Sequence, residues 1–454
     1  MEKKEKQLCR DDIKYLWHPF TQMKEYARQK PLIIEKAEGS FLWDVEGNKY
    51  IDGVSSLWVT THGHRRNEID AAITRQMEKV SHTTLLGLSH PGAIKLAKKL
   101  VEITPEGLNR VFYSESGSTA VEIALKIAFQ YWFQTPGAGQ GKNKFIYLAN
   151  SYHGDTIGSV SVGGIDLFHK LYNPLLFEAL KTEAVYCYRC SLGKSYPSCG
   201  LACLAKLEEL MKKESENTAA LIIEPLVQGA AGIVVAPPGY LKGVRELCTK
   251  YNILMIADEV AVGFGRTGRM FACEHEHVEP DIMTLGKGIT GGYLPLAATI
   301  TTDRIFNAFL GEPDELKTFF HGHTYTGNPL ACAAALANLE IFESDETLEK
   351  LQEKILFLKG GLDRFNELDH VGDIRQSGFM AGVELVYDKK RKEPYPPSDK
   401  IGNRVVMEAR KRGLIIRPLG DVIVLMPHLS ISIKELEDLI AITCNSIKAV
   451  TEVA

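Results

Sequence analysis

Short apolar runs alternate with stretches of helical periodicity through the middle of the chain. Between two of these runs, residues 120–133 place Val121, Ala124, Leu125 and Ala128 on one face of a helix. This alternation predicts an α/β fold, in which helices wrap a mostly parallel sheet. The runs that indicate strands are residues 110–113, 144–148, 220–223 and 253–257.

The two ends of the chain show a different pattern. Near the N-terminus, residues 41–51 are typical of a hairpin that turns at Glu46-Gly-Asn48. Because chain termini often meet in space, we expect this hairpin to join the C-terminal part, where helices and short strands predict an α+β subdomain. The C-terminal elements are a helix near 347–368, strands near 379–385 and 414–417, and a helix near 433–451.

Length and composition narrow the class of protein. The chain has 454 residues, too many for one compact core, so we expect at least two domains. Hydrophobic residues make up 45% and charged residues 24%, which is typical of a globular enzyme. The net charge of −4 offers no electrostatic case for binding nucleic acid or an anionic membrane. With no apolar run of about 18–20 residues and no apolar core near the N-terminus, a cytoplasmic protein is predicted.

Four of the nine cysteines cluster in one stretch, Cys187-x2-Cys190-x8-Cys199-x3-Cys203. Thiolates at short spacing suit tetrahedral zinc, but only the first pair has a spacing common in zinc sites. A loop of reduced thiols is the alternative interpretation. In either case the cluster is peripheral to the chemistry, and no metal is predicted among the catalytic residues.

The strongest chemical signal is a pair, Asp258 and Lys287. Asp258 follows the apolar run 253–257, which predicts an acid at the C-terminal end of a buried strand. Lys287 stands between glycines that let the backbone approach a flat ligand. A lysine that forms a Schiff base and a carboxylate that holds a pyridinium nitrogen are the groups that pyridoxal phosphate chemistry needs. Taken separately, each residue has an ordinary explanation: Lys287 could be a solvated loop lysine, and Asp258 could be the N-cap of the next helix.

The turn at 114–119 follows a predicted strand and opens a helix. Thr119 and Glu122 have the spacing of a capping box. Free backbone N–H groups and the hydroxyls of Ser116 and Ser118 would form a phosphate site at the positive end of the helix. By itself the motif is also explained by an ordinary capped turn.

Two further strand ends carry polar or aromatic residues. Tyr152 follows the strand near Leu148 and could stack on a pyridine ring, although a core position explains it equally well. Glu224 follows the strand at 220–223, where it either orders the ring substituents or caps the next segment. We assign no catalytic role to His153, because a lysine released from its Schiff base is a better-placed proton carrier.

The later glycine-rich turns are less specific. The turn at 263–268 lacks the glycine spacing of a dinucleotide loop and is predicted to buttress the site, with Arg266 pairing a carboxylate such as Asp155. Thr324 could donate to phosphate from this or a neighbouring subunit. Arg417 is a candidate for binding a substrate carboxylate with two hydrogen bonds, and a solvated arginine is the alternative.

Together these motifs resemble those of the class III pyridoxal phosphate-dependent aminotransferases of fold type I, from Trp17 to about Ala449 apart from the cysteine cluster. The segment Leu16-Trp-His-Pro-Phe-Thr-Gln-Met23 is similar to the branch that aminates 8-amino-7-oxononanoate to 7,8-diaminononanoate in biotin synthesis. The resemblance implies a large domain over 73–330 with a mostly parallel seven-stranded sheet. It also implies a smaller α+β domain built from residues 1–72 and 331–454.

The resemblance further implies a role for each matching residue. Lys287 would bind pyridoxal phosphate covalently, Asp258 would bind the pyridinium nitrogen, and Tyr152 would cover the ring and touch the substrate. A homodimer with a shared site is implied, with Thr324 reaching the phosphate across the interface. The remaining cofactor-binding residues would be Gly117, Ser118, Glu224 and His323. The substrate-binding residues would be Phe20, Leu57, Trp58, Tyr152, Lys287, Gly322 and Arg417, the last binding the carboxylate.

Two positions leave the amino donor open. Phe20 and Leu57 stand where the similar enzymes that use S-adenosylmethionine carry tyrosine and tryptophan, and a branch that uses lysine is similar to this chain at both. Both donors are therefore candidates. Two other functions also remain as alternatives: another ω-aminotransferase, acting on 4-aminobutyrate, ornithine or acetylornithine, and a non-catalytic module that binds pyridoxal phosphate or a nucleotide.

Overall fold

The computed structural model describes residues 2–135, 137 and 141–452. The strands are β1 (Ile34–Glu38), β2 (Phe41–Asp44), β3 (Lys49–Asp52), β4 (Leu108–Ser114), β5 (Lys144–Leu148), β6 (Leu180–Thr182), β7 (Thr218–Ile223), β8 (Val227–Gln228), β9 (Val234–Val235), β10 (Leu254–Asp258), β11 (Ile282–Leu285), β12 (Ala297–Thr302), β13 (Val371–Ser377), β14 (Met380–Leu385), β15 (Leu414–Ile415), β16 (Arg417–Leu419) and β17 (Val422–Leu425). The helices are α1 (Glu2–Tyr15), α2 (Met23–Tyr26), α3 (Ser55–Trp58), α4 (Asn67–Met77), α5 (Pro91–Ile103), α6 (Gly117–Gln134), α7 (Ile157–Ser161), α8 (Asp166–His169), α9 (Ala202–Glu214), α10 (Tyr240–Lys250), α11 (Asp303–Asn307), α12 (Pro329–Ser344), α13 (Thr347–Asp363), α14 (Ile401–Lys411) and α15 (Ile433–Thr451).

The main sheet has seven strands in the order β4-β12-β11-β10-β7-β5-β6. Strand β12 pairs antiparallel with both of its neighbours, and the other pairings are parallel. Every residue of β7 and β10 is buried, which explains why these strands are continuous apolar runs rather than alternating ones. The prediction of a mostly parallel sheet of seven strands wrapped by helices is confirmed.

The N-terminal hairpin is completed by the C-terminal part of the chain. Strands β1, β2 and β3 are antiparallel, and β15 adds to β3 in parallel through Leu414 opposite Ile51. The Asp44 carboxylate holds the turn by accepting hydrogen bonds from the backbone N–H groups of Glu46 and Asn48, at 3.0 and 2.9 Å. The hairpin is thus joined to the C-terminal part as expected, while the predicted domain boundaries stay a prediction.

One predicted strand, at 414–417, is two strands in the structure. Residues 414–415 pair with β3, whereas Arg417 lies in β16 and pairs with Val424 of β17, in a second sheet of order β13-β14-β17-β16. The chain therefore changes sheet at Ile416, which is buried. None of the described helices is long and apolar enough to cross a membrane.

The parallel strands bring their carboxyl ends to one edge of the main sheet. Asp258 is the last residue of β10, Glu224 follows β7, and Lys287 follows β11 by two residues. Tyr152 lies four residues beyond the end of β5. In open α/β sheets ligands bind at this edge, so the strand order itself gathers the predicted residues.

Candidate active site

A cavity of about 370 Å³ lies at the carboxyl edge of the main sheet. Its walls come from the ends of β5, β7 and β10, the start of α6 and the segment after β11. The predicted site residues that line it are Trp58, Gly117, Ser118, Tyr152, Glu224, Asp258 and Lys287.

Lys287 points into this cavity from a strained backbone position. Its φ angle of 42° lies in the left-handed region, between two glycines. The Nζ atom lies 4.9 Å from the centre of the Trp58 ring. Burial lowers the pKa of the Lys287 amine, the charges of Asp258 and Glu224 oppose that shift, and the charge of Arg266 adds to it. A lowered pKa increases the fraction of neutral amine, the form that attacks a carbonyl carbon.

Asp258 is held by three hydrogen-bond donors. His153 Nδ1 lies 2.6 Å from Oδ2, and the Thr284 hydroxyl donates to Oδ1 at 3.1 Å. The backbone N–H of Val260 also donates to Oδ1. These contacts fix the orientation of the carboxylate, as required of a group that binds a pyridinium nitrogen.

His153 was missed as a functional residue by sequence reasoning. Its imidazole is buried, and Nε2 has no hydrogen-bond partner among the described residues. The only signal was its position directly after Tyr152 and before Gly154, a glycine whose φ is 122°. His153 therefore positions Asp258, a structural role that sequence reasoning did not give it, while the absence of a catalytic role stays a prediction.

Glu224 organises two backbone segments around the cavity. Its carboxylate accepts from the N–H of Tyr152 at 3.1 Å and from the N–H of Gly229 at 2.9 Å. Burial raises the Glu224 pKa to about 7, with His153 opposing the shift and Asp258 adding to it. Glu224 was predicted either to order the ring substituents or to cap the next segment. These contacts support the second alternative.

Tyr152 is partly buried, and its hydroxyl donates to Asp155 Oδ2 at 2.7 Å. Its ring lies nearly parallel to that of His169, with 6.4 Å between centres and 16° between planes. Because Asp155 is occupied by Tyr152, the predicted pairing of Asp155 with Arg266 is wrong. Arg266 donates instead to neutral oxygens, those of Ser55, Thr60 and Pro427.

Helix α6 begins with a capping box that differs from the predicted one. The Ser116 hydroxyl accepts from the Thr119 N–H at 3.3 Å, and the Thr119 hydroxyl accepts from the Ser116 N–H at 3.0 Å. The predicted box of Thr119 and Glu122 is wrong, because the helix starts earlier. Glu122 accepts from the N–H groups of Gly158 and Ser159 on a neighbouring segment.

Two glycines at and beside the start of α6 pack closely against neighbouring side chains. A Cβ atom on Gly117 would lie 2.5 Å from Val260 Cγ1, and one on Gly154 would lie 2.3 Å from Ser118 Oγ. The Ser118 hydroxyl also bonds the Thr156 hydroxyl at 2.9 Å. The first N–H groups of a helix have no partner within it and attract anions. The residues therefore fit pyridoxal phosphate, because the Lys287 amine and the Asp258 carboxylate share one cavity with Gly117 and Ser118, which would hold the phosphate.

Other predicted residues lie outside the lining of this cavity. Phe20 is 60% exposed, with its ring 5.3 Å from that of Phe168, which in turn contacts Tyr152 at 6.3 Å. Leu57 is 49% exposed. Arg417 is near enough for its charge to oppose the rise in the Tyr152 pKa that burial causes. Phe20, Leu57 and Arg417 therefore lie outside the lining residues of the cavity.

The loop at 321–324 contacts the turn at 114–119 through His323. His323 Nδ1 pairs with the carboxylate of Glu115, and His323 Nε2 lies 3.1 Å from His321 Nε2. Gly322 and Thr324 are exposed on this chain. The cofactor and substrate roles of these loop residues stay predictions.

The cysteine cluster forms no metal centre in the structure. The thiols of Cys187, Cys190, Cys199 and Cys203 are free, and in the described ranges no group of three or more metal-ligating side chains is arranged to hold an ion. Burial raises the pKa of the Cys187 and Cys203 thiols, and the neighbouring thiols add to the shift. The zinc interpretation therefore gains no support from the geometry.

Comparison with known proteins gives one consistent result. The family model for class III aminotransferases matches residues 23–447. The adenosylmethionine-8-amino-7-oxononanoate aminotransferase of Aquifex aeolicus is 58% identical, over 94% of this chain and 93% of that protein. The protein of that name from Geobacter sulfurreducens is 54% identical over 98% of both chains. A crystal structure of the same-named enzyme from Methanocaldococcus jannaschii superposes with a TM-score of 0.94 at 48% identity, covering 98% of this chain and 99% of that one.

Proposed function

The chain belongs to the class III aminotransferases, which depend on pyridoxal phosphate, and we propose that it transfers an amino group to 8-amino-7-oxononanoate to give 7,8-diaminononanoate in biotin biosynthesis. Relatives that are 48–58% identical over nearly the whole chain carry the name of this activity. The single structural observation that carries the proposal is the buried cavity shared by Lys287 and Asp258. We propose the cytoplasm as its location.

The cofactor supplies an electron sink, which takes up the electron pair released when a C–H bond next to its bound nitrogen breaks. Asp258 would hold the ring nitrogen of the bound cofactor and support this chemistry by keeping that nitrogen protonated. His153 and Thr284 keep that carboxylate in position through their hydrogen bonds. The carboxylate is therefore preorganised and needs no rearrangement during the reaction.

Lys287 has two tasks in this proposal. Its Nζ atom is the covalent anchor for the cofactor, and burial lowers its pKa so that the neutral nucleophile is available. With the cofactor bound, the same Nζ atom would also be the group that moves a proton to and from the substrate carbon. The Tyr152 hydroxyl donates to Asp155 and is therefore not free to compete for that task.

The outer residues suit a long substrate with a carboxylate at one end. Arg417 offers a guanidinium that can bind the carboxylate with two hydrogen bonds. Trp58, together with exposed Phe20 and Leu57, offers apolar surface for the alkyl chain. We assign Tyr152 to cover the cofactor ring, where its partly buried ring borders the cavity.

We also propose that the enzyme is a homodimer whose partner completes the phosphate site through Thr324. On this chain the same loop carries two exposed aromatic side chains, with Phe320 74% exposed and Tyr325 60% exposed. Exposed aromatic side chains on one loop are typical of surfaces that a partner covers. Gly322 would then lie at the entrance of the partner's cavity.

The proposed amino donor is S-adenosylmethionine, because the relatives are named for it. Lysine is the second candidate. A phenol hydroxyl at position 20 and an indole at position 57 would favour a sulfonium donor. This chain has Phe20 and Leu57 at these positions and lacks both groups.

The acceptor assay tests the main proposal. Enzyme loaded with pyridoxamine phosphate would be mixed with 8-amino-7-oxononanoate or with 2-oxoglutarate, and the return of the visible cofactor band would be followed. We expect the first acceptor to react at least about tenfold faster at equal concentration, equivalent to a difference of about 1.4 kcal/mol in barrier. Faster recovery with 2-oxoglutarate would indicate a different ω-aminotransferase.

A further inference from the structure

Asn338 is a polar side chain on an otherwise apolar helix face. It lies near the middle of α12 and is fully buried. Every other buried residue of α12, a helix described along its whole length, is apolar. An asparagine inside a helix is less favourable than an alanine or a leucine, and a buried amide needs hydrogen-bond partners. The contacts of this amide therefore indicate what Asn338 does.

The Asn338 amide donates to the turn that carries Lys287. Its Nδ2 atom donates to the Gly288 carbonyl at 3.0 Å and to the Ile289 carbonyl at 3.2 Å. Gly288 and Ile289 directly follow Lys287 in the short 3₁₀ turn Lys287–Thr290. They are 50 and 49 residues from Asn338 in the sequence, so the contact forms only when the chain is folded. One side chain of α12 thus holds two backbone carbonyls beside the lysine.

A segment from the N-terminal part of the chain holds the same turn. The Thr61 hydroxyl donates to the Gly288 carbonyl at 3.2 Å. The neighbouring His62 is buried, and its Nε2 atom lies 3.1 Å from the backbone carbonyl of Asn338. Burial lowers the pKa of His62 to about 4, so its imidazole is neutral at pH 7 and can donate this bond. Thr61 and Asn338 therefore hold the turn together, and His62 joins their two segments.

The turn needs this support because its backbone is strained. Lys287 has a φ angle of 42°, and strain of this kind persists only where the surrounding contacts over-determine the conformation. Gly291, which ends the turn, lies directly against the Asn338 amide, since a Cβ atom on it would be 2.8 Å from Asn338 Oδ1. That Oδ1 atom has no hydrogen-bond partner in the part of the chain that the structure describes. The contribution of Asn338 therefore comes from its N–H donors.

We propose that Asn338 is a positioning residue that, together with Thr61, fixes the backbone of the Lys287 turn and so sets the place of the Lys287 Nζ atom in the cavity. This inference rests on the proposed function, since Asn338 acts through the lysine that carries it out. A proton carrier must lie within hydrogen-bond reach of its target, and a displacement of about 1 Å can lower a rate about 100-fold. Loss of the Asn338 donors should therefore slow the reactions of Nζ and leave the binding of the acceptor nearly unchanged.

The first test compares Asn338→Leu with the wild type in the cofactor-loaded enzyme. Leucine has nearly the same shape as asparagine but no N–H donor. We expect kcat to fall about tenfold, while KM for 8-amino-7-oxononanoate changes by less than about twofold. The matched control is Asn366→Leu, at an exposed asparagine whose Nδ2 atom donates to the Asp363 carbonyl at 3.2 Å, and it should leave both constants unchanged. A folded Asn338→Leu enzyme whose kcat stays within about twofold of the wild type would overturn the proposal.

Covalent attachment of the cofactor gives a second readout, which does not depend on turnover. Apoenzyme would be mixed with pyridoxal phosphate in a stopped-flow instrument, well below the melting temperatures of both apoenzymes, and the growth of the visible band would be followed. Asn338→Leu should form the band at least about fivefold more slowly, because the approach of Nζ to the aldehyde depends on the same turn. Band formation at the wild-type rate would contradict the proposal.

Thr61→Val covers the case in which Asn338→Leu does not fold. Valine has nearly the same shape as threonine, and the change removes the hydroxyl that donates to the Gly288 carbonyl. It should lower kcat about threefold with KM unchanged, and an unchanged kcat would then overturn the proposal. Wild-type turnover with 8-amino-7-oxononanoate is measured first. If the wild type prefers another acceptor, the proposed function fails, and the same kcat ratios measured with that acceptor still decide the role of Asn338.

Discussion

His153 Nδ1 lies 2.6 Å from Asp258 Oδ2, and both side chains are buried. The residue that holds the Asp258 carboxylate is therefore the chain neighbour of Tyr152, which lines the same cavity. A single turn after β5 supplies both contacts.

Replacing His153 should weaken catalysis without removing the cofactor. We expect His153→Phe to lower kcat by about 10–100-fold, as is common when a partner that orients an active-site ligand is lost. The measurement is kcat together with the pH titration of the visible band. His277→Asn, at an exposed histidine, is the control. If kcat were unchanged in a folded His153→Phe enzyme, Asp258 would not depend on this contact.

Lys287→Ala should abolish turnover, because it removes both the covalent anchor and the proton carrier. A positioned acid–base group contributes about 10²–10⁴-fold, and the loss should be at least that large. Lys287→Arg keeps a positive charge but cannot form the covalent bond, so it should be equally inactive. Both are checked by turnover and by borohydride fixation of the cofactor. Substantial activity in either variant would contradict the assignment.

Gly117→Ala should weaken cofactor binding, because the added Cβ would lie 2.5 Å from Val260 Cγ1. Overpacking of this kind costs about 1–3 kcal/mol, which corresponds to about 5–150-fold in affinity. The measurement is titration of the apoenzyme with pyridoxal phosphate. Gly360→Ala is the matched control, since a Cβ there has no atom within 4 Å. Equal affinities in the two variants would show that the start of α6 does not contact the phosphate.

The buried acid Glu224 should make stability depend on pH. Its folded pKa of about 7 exceeds the ordinary 4.5, so the folded protein retains a proton that the unfolded chain releases. This contribution is present at low pH and is lost as the pH rises through about 7, with an upper size of about 3 kcal/mol. The melting temperature of Glu224→Gln should therefore fall less steeply between pH 5 and 8 than that of the wild type. Glu246→Gln, at an exposed position, should leave the slope as in the wild type.

The amino donor is decided by a half-reaction. Enzyme carrying pyridoxal phosphate would be mixed separately with S-adenosylmethionine and with lysine, and bleaching of the visible band would be followed. We expect S-adenosylmethionine to bleach it. Faster bleaching by lysine would assign the lysine-using reaction.

Leu57→Trp refines that result. An indole at the cavity entrance should lower KM for S-adenosylmethionine about two- to fivefold, because a cation over an exposed ring gains about 0.5–1 kcal/mol. Leu86→Trp places the same side chain at a leucine that is 90% exposed and serves as the control. An unchanged KM for S-adenosylmethionine in Leu57→Trp would show that the sulfonium binds away from the side chain at position 57.

The amino-acid sequence alone determined the local elements and the residues at their ends. Runs such as 253–257 indicate buried strands because burial on both faces demands continuous apolar residues. Parallel pairing then brings Asp258, Glu224 and the Lys287 segment to one edge. The hairpin at 41–51 is equally local, since the Asp44 carboxylate accepts from residues only two and four positions later.

The tertiary structure decided the contacts between distant segments. His153 and Asp258 are 105 residues apart, and Arg266 and Ser55 are 211 apart, so no periodicity or spacing predicts either pair. The same applies to Glu122, which bonds a neighbouring segment instead of its own helix, and to Ile416, where one apolar run divides between two sheets. Local patterns record which side chains must be buried, but the partner of a buried polar group depends on how the whole chain packs, because any segment can supply it.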